Sequence, residues 1–343
     1  MAKTRHFFAG SNSGKGFYSL FDNIMGPEAK RIYLLKGGPG TGKSSFMRFI
    51  ADAVGELGHE QERFFCSSDP QALDAVAFPA LGIALVDATA PHQIEPTLPG
   101  CRDHIISLGT FWDKEQLEQK REEILAAGRV KQHHFSTAFR YFTAALCVEQ
   151  NRALAKDVEV DYHKLEPIMA LFPQEKTDAP GSIRHLFASA LTPDGYVSHI
   201  QGLVEDLPQC FILQGGFGLG QGEMLAMVAD AGQRAGLAVE AFHYPLNPEQ
   251  ILHIVVPELG LAVLTELPLE PLDSVKGPRL VCGPLETSSD LDYQLWEKLL
   301  QQGFSSLLAA KTSHIAVEQY YTNSMDFVAL NEYRDEILAE LLL

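Results

Sequence analysis

Apolar residues along this chain fall mostly into short continuous runs, not into strict alternation. Runs of this kind, separated by stretches of helical periodicity, predict strands buried on both faces of a parallel sheet. The pattern places strands at Arg31–Leu35, Glu62–Cys66 and Gly82–Val86, and again at Cys210–Leu213, Glu240–Tyr244 and Gly260–Leu264. In each set the first strand enters a glycine-rich turn and then a helix, about Ser44–Leu57 and Gly222–Ala235. A short helix is expected between the second and third strands. Helix-rich tails follow: Phe111–Leu125 and a run to about Cys147 in the first set, Leu291–Gln302 and Ser313–Leu343 in the second.

The two sets are copies of one another. RHFFA at Arg5–Ala9 returns as RHLFA at Arg184–Ala188, and KGGPGTGKSS at Lys36–Ser45 aligns with QGGFGLGQGE at Gln214–Glu223, an offset of 178. Positions 37–87 and 215–265 share 15 of 51 residues without a gap, where average composition gives about three by chance. The tails correspond at an offset of 180, which pairs Lys131, His134 and Tyr141 with Lys311, His314 and Tyr321. The expectation is an α/β protein of two tandem P-loop NTPase-like domains, residues 1–180 and 181–343. Each is a mainly parallel sheet flanked by helices, with a helical tail after it, and Pro173–Gly181 serves as the linker.

Gly37-Gly38-Pro39-Gly40-Thr41-Gly42-Lys43-Ser44 satisfies G-x-x-x-x-G-K-[ST] in full, between a predicted strand and a predicted helix. Glycines let successive backbone N–H groups point into one concavity at the positive end of a helix, which suits a phosphate. In such loops the lysine reaches the β- and γ-phosphates and the hydroxyl ligates Mg²⁺. Here those residues are Lys43 and Ser44, and Ser45 is grouped with the loop as nucleotide-binding. The alternative, an ordinary glycine turn, does not account for the strand–turn–helix context. Asp87 ends the apolar run Gly82–Val86, so it belongs at the ligand-binding edge of the sheet, where a carboxylate holds Mg²⁺. A helix-capping aspartate is the bland alternative. At the offset of 178, Lys43 becomes Gln221, Ser44 becomes Gly222 and Asp87 becomes Thr265. The second turn therefore keeps the glycines of a phosphate loop but not its charge chemistry, and only the first is expected to work.

Four residues are candidates for catalysis: Lys43, Asp87, Asp69 and His92. Asp69 follows the second strand and suits orienting a water or deprotonating an acceptor hydroxyl. As Asp-Pro it equally suits the start of a helix, and Asn247 at the matching position favours that cap. His92 is a γ-phosphate sensor or a hydrogen-bonded loop histidine. Ala88 stands where many P-loop enzymes place a glutamate base, which leaves Asp69, Thr89 and His92 for that role. Cys66, His92, Cys101 and His104 offer one ligand-like pair, Cys101-x-x-His104, whereas structural zinc sites ordinarily show two; the cysteines are read as ordinary thiols. The basic stretch Arg129–Arg140 is read as a solvated helix face, and Arg5 and Arg184 as a repeated structural contact.

Composition narrows the field. Of 343 residues, 46% are hydrophobic and 21% charged, which sustains a packed core. Lys+Arg number 27 against 44 Asp+Glu, a net charge of −17, and such a chain is repelled by a phosphate backbone, so nucleic acid is not the expected partner. The opening MAKTRHFFAG has no apolar leader region. The longest apolar stretch, Ile251–Leu272, is interrupted by His253, Glu258, Glu266 and prolines, so no membrane association is expected. Five scattered cysteines fit reduced thiols and a cytoplasmic location.

The segments RHFFAG, GFYSLFDNI, LLKGGPGTGKS, FFCSSDPQALD, LVDATAPH and EQYYTNSMDF together resemble a bacterial family of internally duplicated P-loop ATPases, across nearly the whole chain. The resemblance implies ATP binding and supplies no substrate. The expected activity is hydrolysis of Mg·ATP in the first repeat, driving a conformational change passed to the second repeat or to an unidentified protein partner. A small-molecule kinase, in which an acceptor replaces water, is the second expectation. A nucleotide-gated binding module with negligible turnover is the third.

Overall fold

The computed structural model describes residues 2–92, 94–155, 161–173, 179–216, 220–283 and 290–342. The central part of the expected linker, residues 174–178, therefore lies outside the described residues. The chain forms two compact units: one of Met1–Ala9, Phe21–Thr137 and Ser305–Leu343, the other of Gly10–Leu20 and Ala138–Phe304.

The first unit is built on a six-stranded sheet in the order Thr4–Phe8, Gln61–Cys66, Asp69–Phe78, Ile83–Asp87, Arg31–Lys36, Asp103–Ser107. All pairs are parallel except the two made by Asp69–Phe78, which runs antiparallel to both neighbours. The helix Lys43–Glu56 lays Phe46, Met47, Ile50 and Val54 on this sheet, all buried. Each such side chain contributes about 1.5–3 kcal/mol through removal from water. The helix Phe327–Leu341 adds Leu330, Ile337 and Leu341 to the same core.

The second unit repeats the design strand for strand: Ile183–Leu186, Val239–His243, Ile251–Val256, Leu261–Glu266, Gln209–Gln214, Arg279–Val281. Its antiparallel member is again the third, Ile251–Val256. The helices Lys43–Glu56 and Gln221–Arg234 sit at the sequence offset at both ends. Even the register shift in the second strand recurs, at Phe64/Phe65 and at Phe242/His243. Arg5 lies opposite Glu62, and Arg184 opposite Glu240, which fits the repeated structural contact read from the sequence; Arg5 Nη1 donates to Glu62 at 3.2 Å. A four-stranded antiparallel sheet, with one hairpin from each repeat (Gly10–Ser13 with Gly16–Ser19, Ser189–Thr192 with Gly195–Ser198), completes this unit.

The architecture is thus α/β with two mixed, mainly parallel sheets flanked by helices. One expectation fails in both repeats. The short helix expected after the second strand is in fact the antiparallel strand, and Asp69 begins that strand and does not cap a helix. Ser67 and Ser68 turn the chain straight back, and Ala75, Val76, Ala77 and Phe78 are fully buried between two partners. A ladder on each side satisfies the backbone of an apolar run that a one-turn helix would leave exposed. Asn247 likewise lies in a turn and starts no helix.

Compactness and sequence order group the residues differently. Helix Phe327–Leu341 comes from the tail of the second repeat yet belongs to the first unit. Leu165, Ile168 and Phe172, from the tail of the first repeat, pack in the core of the second unit. Among the described residues no helix is long and apolar enough to cross a membrane.

Candidate functional site

The glycine-rich turn joins strand Arg31–Lys36 to helix Lys43–Glu56, the context its sequence predicts. Gly42 caps the helix with φ 89°, a left-handed conformation that costs little only for glycine. Thr41 Oγ1 donates to Gly38 O at 2.8 Å. Lys43 Nζ donates to the carbonyls of Gly37 and Gly38, each at 2.8 Å, and stands 3.6 Å from Asp87 Oδ2.

Asp87 ends strand Ile83–Asp87 beside the turn. Its Oδ1 accepts from the Thr89 N–H at 2.9 Å. Burial pushes its carboxyl up, and Lys43 offsets part of that rise. Thr89 clips the following loop to the turn, donating to Gly37 O at 3.0 Å and accepting from Gly37 N–H at 3.3 Å. Ser44 Oγ accepts from the Leu73 N–H at 2.9 Å, which leaves its second lone pair for a ligand. Ser44 and Asp87 thus offer the hard oxygen donors that Mg²⁺ takes, and Lys43 offers the cation for phosphate.

A helix from far along the chain closes over the turn, a feature with no counterpart in the sequence reading. A Cβ placed on Gly38 would lie 2.8 Å from the ring of Tyr321, and one on Gly40 would lie 2.6 Å from the carbonyl oxygen of Glu318. Thr322 Oγ1 donates to Gly40 O at 3.2 Å, and the Glu318 carboxyl lies close to the Gly40 backbone. Burial pushes that carboxyl up, and nearby Asp69 adds to the rise. Lys311, on the same helix, pairs with Asp69 at 2.8 Å. Lys131 meets His314 Nδ1 at 3.3 Å, so at least this member of the basic stretch Arg129–Arg140 packs against a neighbour. Burial first, then the charges of Lys131 and Lys43, hold His314 down at about 4.

His92 does reach this edge of the sheet. It is buried, stacks on Phe21 with ring centroids 4.5 Å apart, and places Nε2 3.5 Å from Asp74 Oδ2. Burial holds its pKa down at about 4, so the ring is neutral near pH 7. Burial also raises Asp74 to about 7 and pushes the Cys66 thiol well up, with Asp74 adding to the latter. Asp74 went unnoticed in the sequence, although one acid inside the apolar run Leu73–Phe78 was a legible signal. Cys101 is exposed and outside this group, and His104 packs against Tyr33, ring centroids 5.6 Å apart.

The second turn keeps the loop mechanics without the charge. Gln221 Nε2 donates to Gly216 O at 3.2 Å, the bond that Lys43 makes to Gly38 O in the first repeat. Gly220 has φ 82° like Gly42, and Thr265 is buried at the position of Asp87. Residues 217–219 of this turn lie outside the described residues. Glu223, at the position of Ser45, accepts from Tyr162 Oη at 3.0 Å.

Set against protein-family models, curated proteins and solved structures, the chain matches none.

Proposed function

We propose that the first repeat binds Mg·ATP in the turn Gly37–Ser44 and hydrolyses it slowly, the second repeat being catalytically silent. One observation carries this reading: Lys43, Ser44 and Asp87 converge on a glycine turn with strand–turn–helix geometry, while the same backbone in the second repeat holds Gln221, Gly222 and Thr265. Lys43 would exchange its two carbonyl partners for phosphate oxygens, and the amides of Gly40 and Gly42 would face the anion. Ser44 and Asp87 would hold the metal, which supplies charge neutralisation at the phosphates. Thr89 fixes the loop after Asp87 against Gly37, so the carboxylate and the turn keep one geometry.

A binding module with little turnover is a second reading, and the state of the candidate bases favours it. Asp69 is paired with Lys311, and a histidine held near 4 is a weak base at neutral pH. Following γ-labelled ATP with purified protein and a small-molecule extract separates these readings. Phosphate release that disappears in Lys43→Ala supports the ATPase. Label in a new compound means a kinase, and tight binding without label transfer means the module. Gln221→Ala should leave ATP binding unchanged, and a loss comparable to that of Lys43→Ala would overturn the one-site model.

A further inference from the structure

Three donor atoms of different chemistry converge beside the phosphate turn: Cys66 Sγ, an Asp74 carboxylate oxygen and a His92 ring nitrogen, all within 4.8 Å of one another. They come from the end of one strand, the middle of its antiparallel neighbour and the loop after Asp87. We propose that Cys66, Asp74 and His92 form a binding site for a zinc-class divalent cation, distinct from the Mg²⁺ donors Ser44 and Asp87.

The geometry suits a metal better than it suits a hydrogen-bonded cluster. Bond lengths of about 2.0–2.3 Å to sulfur, nitrogen and oxygen set neighbouring donors roughly 3.5 Å apart on a tetrahedron. The separation of His92 Nε2 from Asp74 Oδ2 is 3.5 Å, long for a hydrogen bond. Asp74 is 3% exposed, and its Oδ2 is buried with no hydrogen-bond donor on it. A buried carboxylate oxygen left in that state is costly, and a cation removes the cost. A thiolate, a carboxylate and a neutral imidazole also balance a dication to zero net charge, the arrangement a low-dielectric site tolerates. Lys43 stands close enough to influence both Asp74 and His92. Its charge opposes any cation equally, so it does not select. Sulfur and imidazole do select, favouring Zn²⁺ over Mg²⁺. Three protein donors leave a fourth position open, the pattern of zinc sites that take a further ligand.

The second repeat supplies an internal control. At the offset of 178 the three positions hold Tyr244, Leu252 and Glu270. Glu270 there is satisfied by His253 at 2.9 Å and Tyr196 at 2.8 Å. The donor set is therefore present only in the repeat that also carries Lys43, Ser44 and Asp87.

This proposal does not rest on ATP binding, and its test omits nucleotide. Full-length protein freed of metal by a chelator is titrated with Co²⁺, a spectroscopic substitute for Zn²⁺. The expected result is saturation at one equivalent with a thiolate-to-cobalt charge-transfer band that Zn²⁺ displaces. Cys66→Ser should abolish the band, Asp74→Asn and His92→Ala should weaken binding at least tenfold, and Cys101→Ser should change nothing. Absence of the band, or its survival in Cys66→Ser, overturns the proposal. A second measurement needs no variant: alkylation of wild-type protein read by peptide mass spectrometry. One equivalent of Zn²⁺ should slow modification of Cys66 at least tenfold and spare the rate at Cys101; an unchanged rate at Cys66 refutes the site.

Discussion

Replacing Gly40 by alanine tests the contact between the glycine-rich turn and the helix that covers it. Gly40 has φ +73°, and an added Cβ would lie 2.6 Å from Glu318 O, 2.7 Å from Thr322 Oγ1 and 3.1 Å from Glu318 Cα. Two costs follow. The left-handed backbone costs an alanine about 1–2 kcal/mol. Two of the three atoms in the way are backbone, so the helix must move, an overpacking cost of about 1–3 kcal/mol. Gly58→Ala separates the two costs, because Gly58 has φ +89° with nothing within 4 Å of an added Cβ. Gly40→Ala should therefore lose about 1–3 kcal/mol more than Gly58→Ala. The chain has two tryptophans, and Trp112 lies in the first unit with its ring 5.9 Å from that of Tyr321. Urea unfolding followed by Trp112 fluorescence in a Trp296→Phe background reports on this unit. Equal losses in the two variants, with Trp112 emission unchanged in both, would refute the account of a helix seated on the turn.

Two other substitutions probe charge. The Glu318 carboxyl lies close to the Gly40 backbone that a phosphate would use, so removing its negative charge in Glu318→Ala should tighten ATP binding about tenfold, or ~1.4 kcal/mol; calorimetry showing weaker or equal binding would contradict that role. Glu149 is buried with Tyr244 Oη donating to it at 3.0 Å, and burial raises its carboxyl to about 7 from 4.5. A carboxyl raised in the folded state contributes stability that is full below its unfolded pKa and is lost as pH rises through the folded one. Glu149→Gln should therefore match the wild type near pH 4 and exceed it by at most roughly 3 kcal/mol at pH 8. Urea midpoints at the two pH values check this, and a gap that narrows towards pH 8 would be the wrong sign.

Much of the fold was legible because it is local. The turn, its strand and its helix occupy the expected residues to within one position, since glycine placement and apolar periodicity act over a few residues. The duplication was equally plain, being a property of the sequence itself. At Asp69–Phe78 the Asp-Pro signal for a helix start is overridden by a ladder on each side. Asp74 stands out in sequence as a lone acid in an apolar run, but its neighbours Cys66 and His92 are not legible there, because only the fold brings the strand end and the loop after Asp87 to it. The partnership of Gly40 with Glu318 and Thr322 leaves no local trace.

That last partnership carries a cost in time. Gly40 and Thr322 are 282 positions apart, so at about 5–20 residues per second a ribosome needs roughly 15–55 s to supply the second after the first. Through that interval Phe46, Met47 and Ile50 lack the later-made members of their core, Leu330, Ile337 and Leu341. The glycine turn is translated long before the helix that completes it. A nascent chain of this design must keep an open apolar surface from aggregating until its closing helices arrive, and slow, contact-order-limited folding is the expected result.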